Sequence, residues 1–169
     1  MLHKKTPELL VCFDPGQTVG VSVWIKQKLV FCGYGRIDKY LGHKSILNNV
    51  YSGDLAGGTL IVERPMSYSL KGKRMLVNPN DLLQTDFRAG LLSGYYLGKG
   101  MDLEEIRPPS LWKGQVPDDV ILERVLDKTS DTERELIWEA KSARAKKLDH
   151  NMIDAIGMGL WRLNRWRKQ

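Results

Sequence analysis

The sequence predicts an α/β fold, with a mixed sheet of three antiparallel strands followed by two parallel ones, flanked by helices. Three observations carry this. Apolar runs over residues 9–13, 20–25 and 29–34 are joined by connections too short for a crossover, so these strands form an antiparallel meander. A fourth run, Thr59-Leu60-Ile61-Val62-Glu63, is β-branched and continuously apolar until its last residue, as expected of a strand buried on both faces. A helix-length segment then separates it from a short fifth strand, Glu104-Glu105-Ile106-Arg107, which permits parallel pairing.

The elements follow in order. Lys26-Gln27-Lys28 is the polar turn between the second and third strands, and Gly35 ends the third. A helix is expected over roughly residues 40–51, and Gly57-Gly58 breaks the chain before the fourth strand. Residues 64–80 form a long polar loop with two prolines and a basic cluster; loops of this length are functional or unstructured. Residues 81–97 read as a helix with Leu83, Phe87, Leu91 and Gly94 on one stripe. Gly90 and Gly94 would admit a second backbone, inside the subunit or across a dimer. Pro108-Pro109 stops the fifth strand, and helices are expected over 118–128, 131–147 and 150–166. With no repeat, low-complexity tract or linker, residues 1–169 read as one domain able to bury a substantial core.

Composition narrows the partners. The net charge of +6 and pI of about 9.3 are consistent with a polyanion. The basic residues cluster as Lys71, Lys73 and Arg74, then Lys141, Arg144, Lys146 and Lys147, then Arg162, Arg165, Arg167 and Lys168. Each cluster alone also suits a solvated face or a basic tail. No apolar run approaches the roughly 20 residues of a membrane helix, and the N-terminus lacks a secretory apolar core, so a cytoplasmic protein with no membrane contact is expected. Cys12 and Cys32 lie in apolar runs without metal-ligand spacing and read as buried free thiols.

Three acids stand where core residues belong. Asp14 ends the first strand, Glu63 ends the fourth, and Asp154 sits between Ile153 and Ala155-Ile156 in the last helix. Each has a local explanation: Asp14 as a turn former before Pro15-Gly16, Glu63 as the partner of Arg64, Asp154 as a satisfied helix acid. Taken together they need compensation, because an unpaired buried carboxylate is costly. A bound divalent cation is one effective source. Carboxylates suit Mg²⁺ or Mn²⁺, and two such ions activate water and stabilise the leaving oxygen in phosphodiester hydrolysis. The basic clusters would then hold the phosphate backbone. His150, four residues before Asp154, projects from the same helix face, and Asn151 lies near it. Asp149 more naturally caps the helix. Gly157 removes a side chain where the helix meets the sheet.

The glycine-bearing DPGQTVG is not a Walker loop, lacking Gly-Lys-Ser/Thr, and not a dinucleotide fingerprint, because a strand follows it. It looks like the phosphate hairpin of actin-like ATPases and sugar kinases, which need two such domains and a longer chain.

Phe13-Asp14-Pro15-Gly16, Ile61-Val62-Glu63-Arg64-Pro65 and Asp154-Ala155, in this order and strand context, resemble the RuvC-like Holliday junction resolvases of the ribonuclease H fold. Residues 107–115, RPPSLWKGQ, look like the segment after the fifth strand in phage (bacteriophage) members of that family. The resemblance implies a homodimer that binds four-way DNA junctions and nicks opposed strands with Mg²⁺, for which Mn²⁺ substitutes, in the host cytoplasm if phage-encoded. Asp14, Glu63 and Asp154 match the family's metal-binding carboxylates. The family's fourth ligand, Asp or His, lies three residues before the last Asp; here Asn151 stands there, leaving His150, with Asp149 as the alternative. Bacterial members carry an aromatic wedge three residues after the Glu; here Met66 holds that place and Tyr68 follows. Lys71, Lys73 and Arg74 on the same loop suit phosphate contact, as do Lys113, Arg144, Lys146 and Lys147. Trp112 reads as packing. The same acids also fit a ribonuclease H-like or RuvC-like RNA nuclease, or a junction-binding protein with little catalysis.

Overall fold

The computed structural model describes residues 6–42, 45–65, 78–106, 112–114, 116–141, 145 and 147–166. The predicted wedge candidates Met66 and Tyr68, and the basic residues Lys71, Lys73, Arg74, Arg144 and Lys146, lie outside the described residues.

Strands β1 (Leu9–Asp14), β2 (Val19–Ile25) and β3 (Lys28–Gly35) form the expected meander. Lys26 and Gln27 turn it with φ of 47° and 69°, the left-handed geometry that matches strand twist in a two-residue hairpin. Strand β4 (Thr59–Glu63) lies parallel to β1, and β5 (Asp102–Ile106) parallel to β4, giving the order β3-β2-β1-β4-β5. The sheet is therefore mixed and five-stranded, as predicted, with β1 at its centre.

Side-chain alternation divides the core in two. Leu9, Val11, Phe13, Leu60 and Val62 pack against Ala89, Leu92 and Tyr96 of α2 (Pro79–Leu97). On the other face, Leu10, Cys12 and Ile61 meet Met152, Ala155 and Ile156 of α5 (His150–Arg162). Ile121 and Val125 of α3 (Asp118–Lys128) cover α5 from outside, and α4 (Asp131–Glu139) packs on β3, with Ile137 in the same core. A helix between a sheet and other helices must be apolar all round, and residues 151–160 are buried throughout. Cys12 and Cys32 are buried free thiols. Among the described residues, no helix is long and apolar enough to cross a membrane.

Several boundaries differ from expectation. The helix expected over 40–51 is a 3₁₀ turn (Ile37–Tyr40) and a separate short helix, α1 (Ile46–Val50), because Gly42 at φ 77° intervenes and Ser45 caps a new start. Helix α4 ends at Glu139 rather than near 147; after Glu139 the sequence offers only lysine, arginine, serine and alanine until Leu148, so no large apolar face continues. Helix α5 ends at Arg162, where Asn164 turns left-handed and Arg165 N–H returns to the Leu160 carbonyl at 2.8 Å. The α2 stripe faces away from the sheet. Leu83, Phe87 and Leu91 point outward at 68%, 67% and 40% exposure, while Ala89, Leu92, Ser93 and Tyr96 face the sheet. Nothing described lies within 4 Å of a side chain built at Gly94, so that glycine admits no second backbone within the described subunit.

Candidate active site

Strand register brings the first two acids together. Phe13 lies opposite Val62 in the parallel pair, so Asp14 and Glu63 leave the sheet side by side. Both follow the parity of Cys12 and Ile61, which is the face covered by α5. That helix delivers Asp154, and close approach to β2 seats it: a side chain on Gly20 would stand 2.0 Å from the Asn151 carbonyl oxygen. Asp14 and Asp154 are only 8% and 5% exposed.

The electrostatics follow from this crowding. Burial, then the charges of Glu63 and Asp154, push the Asp14 carboxyl well above the usual carboxylate range, with Lys113 opposing. Burial also raises Glu63 and Asp154. Trp112 and Lys113 counteract the shift at Glu63, while Lys113 does so at Asp154, with a smaller contribution from His150. Burial draws the Lys113 ammonium down, but Asp154, Glu63 and Asp14 outweigh it and hold it above its ordinary range.

Two consecutive residues after β5 touch two of the acids. Trp112 Nε1 donates to Glu63 Oε2 at 2.9 Å, and Lys113 Nζ pairs with Asp154 Oδ2. Trp112 is also packed, as the sequence suggested: its ring meets Trp166 edge-on at 5.5 Å and fills the space that Gly157 leaves on α5. A side chain at Gly157 would come within 2.3 Å of that ring, so Gly157 accommodates Trp112 rather than the sheet itself. The Trp112 hydrogen bond was not legible beforehand, since its partner lies 49 residues away. Nor was Arg64's role: it bridges Glu105 and Asp86, both at 2.9 Å, instead of pairing with Glu63.

The start of α5 is braced rather than free. Asp149 accepts from the backbone N–H groups of Asn151 and Met152 at 3.0 and 3.2 Å, and from the Thr18 hydroxyl at 3.1 Å. The Asn151 amide donates to the Thr18 carbonyl at 2.7 Å and its hydroxyl at 3.1 Å. Asp149 is thus the helix cap. His150 is exposed, and with Asp149, Asp154, Lys141 and Lys147 it lines a cleft of about 770 Å³ bounded by Tyr34, Leu122 and Trp138. Of the tail arginines, Arg162 is committed to Glu104 and Arg165 to Glu133.

Among the described residues, no three His, Cys, Asp or Glu side chains are arranged to hold a metal ion as they stand. The donor chemistry still fits a hard divalent cation: carboxylates from three elements meet, Glu63 and Asp154 raise Asp14, Asp154 raises Glu63, and among the described residues Lys113 is the lysine that opposes them.

A central strand flanked by one antiparallel and one parallel neighbour, with acids at adjacent strand ends and on the covering helix, gives the mixed five-stranded α/β architecture that the sequence predicts. No protein-family model matches the chain, and no curated relative matches it in sequence. Among solved structures it is similar to T. thermophilus RuvC in complex with Holliday junction substrate, at 9% identity over 90% of each chain and a TM-score of 0.45. A likeness of that size says nothing of activity or residue roles, which rest on the site itself.

Proposed function

We propose that this chain is a divalent-cation-dependent endonuclease that cuts branched DNA, nicking opposed strands of four-way junctions. The observation that carries the reading is the meeting of buried Asp14 and Asp154 with half-buried Glu63 at one end of the sheet, where the charges of Glu63 and Asp154 act against that of Asp14. Such a cluster is unfavourable for folding alone and suited to hard cations. Mg²⁺, or Mn²⁺ in its place, would supply Lewis acidity toward the phosphate and an activated water. Asp14, Glu63 and Asp154 would hold the ions. His150, exposed beside Asp154 in the same cleft, is the proposed fourth ligand or proton carrier, because Asp149 and Asn151 are engaged in bracing the helix. Lys147 and Lys141 line the same cleft, which supports a phosphate-binding role that we extend to Lys71, Lys73, Arg74, Arg144 and Lys146 on charge alone, with Tyr68 or Met66 as the wedge.

The outward stripe of Leu83, Phe87 and Leu91, with Gly90 and Gly94 among them, supports a homodimer through α2. Two copies would place two sites on one junction, as paired nicks require.

A substrate panel tests the choice of substrate. An immobile four-way junction, linear duplex and an RNA–DNA hybrid are incubated with the protein in Mg²⁺ and Mn²⁺. Junction cutting in preference to both others is expected. Preference for the hybrid would move the protein to the RNA nucleases, and a junction gel shift without nicks would make it a binding protein.

A further inference from the structure

The ammonium of Lys113 sits where a cation would. Its side chain is 20% exposed, it pairs with Asp154, and its charge also acts on Glu63 and Asp14. Its neighbour Trp112 holds the Glu63 carboxylate at 2.9 Å. The Trp112-Lys113 pair therefore satisfies two of the three acids at once, and among the described residues no three carboxylates are arranged around an ion. A buried carboxylate cluster without a counter-charge would be costly, so something must neutralise it when no metal is bound.

We infer that Lys113 is an exchangeable internal cation, which occupies the carboxylate cluster in the metal-free protein and is displaced from Asp154 when a divalent ion binds. The inference rests on the metal role proposed above. Ammonium and metal compete for the same oxygens, so apparent metal affinity is reduced by the fraction of molecules in which Lys113 is seated. The displaced side chain has a second resting place, since its Nζ already lies 5.3 Å from the centroid of the Trp112 ring, within cation–π range. A lysine released there stands beside the ions, placed to meet a substrate phosphate. The charge of the metal-free site is thus partly offset, and the positive charge changes its partner on loading.

The test is Mn²⁺ binding by calorimetry to the full chain, comparing wild type, Lys113→Met and Asp14→Asn. Methionine keeps the length and packing of the stem without its charge. Lys113→Met is expected to bind Mn²⁺ about tenfold more tightly than wild type, and its thermal midpoint to rise further on Mn²⁺ addition; Asp14→Asn should bind weakly. Wild-type-like or weaker binding by Lys113→Met, with wild type binding well, overturns the inference and leaves the metal role intact. Binding by neither protein overturns the metal role and the inference with it. A variant-free measurement stands beside these: the protected Lys113 ammonium resonance should be present without Mg²⁺ and lost on titration with it. Persistence of that resonance at Mg²⁺ saturation would exclude displacement.

Discussion

Replacing Asp14 with asparagine should make the metal-free protein more stable while abolishing its activity. Asp14 is 8% exposed beside Glu63 and Asp154, and among the described residues only Lys113 opposes the combined effect of burial and like charge. Asparagine keeps the shape and removes the charge. Neutralising a poorly compensated buried carboxylate is worth about 1–3 kcal/mol, allowing for Lys113. For a domain of this size that is roughly 2–10 °C in thermal midpoint. The sign depends on pH. The folded-state pKa of Asp14 is raised, so its contribution is fully favourable below the unfolded value, near about pH 4, and is lost as pH rises through the folded value. Calorimetric melts in a chelator at about pH 4 and about pH 8 therefore form the assay. The variant should melt close to wild type at the lower pH and above it at the higher. A variant less stable at both, or a gain independent of pH, would refute the claim that Asp14 is buried under electrostatic stress.

Two other outcomes follow from the same reasoning. Burial raises the Glu133 carboxyl, but Arg165 and the backbone N–H groups of Leu29 and Ser130 outweigh it and hold it at about 2. Glu133→Gln should cost about 2–4 kcal/mol in urea denaturation at neutral pH; the deficit should vanish as pH falls from the ordinary carboxylate range toward about 2, and a pH-independent deficit would argue against the ion pair. Phe87→Lys, at a site 67% exposed, should halve the mass seen by light scattering while leaving the fold's far-ultraviolet spectrum intact; an unchanged mass would remove α2 from the proposed dimer interface.

The sheet was legible because its signals are local. Alternation, the length of each connection and the uninterrupted run Thr59–Glu63 sufficed to separate antiparallel from parallel pairing. The convergence of Asp14, Glu63 and Asp154 was legible for a related reason: each is an acid inside an apolar pattern, and a central strand pair brings strand ends together. The partners of those acids were not. Lys113 reaches Asp154 across 41 residues and Trp112 reaches Glu63 across 49, and no periodicity encodes such contacts. The direction of the α2 stripe was not legible, because amphipathicity shows that a helix has an apolar face without showing what covers it. There Ala89, Leu92, Ser93 and Tyr96 supply the inner face, and the larger residues are left outside. The early end of α4 follows from running out of apolar residues, a signal present in the sequence but outweighed by the helix-forming character of lysine, arginine and alanine.

The central claim is that the buried carboxylates form a metal-dependent nuclease centre, and cleavage of one synthetic immobile four-way junction by matched variants tests it most directly. Wild type in Mg²⁺ should produce paired nicks in opposed strands, and Asp14→Asn, Glu63→Gln and Asp154→Asn should each produce none while still shifting the junction in a gel. Wild-type cutting by any of the three, or undiminished cutting by wild type in a chelator, would contradict the account.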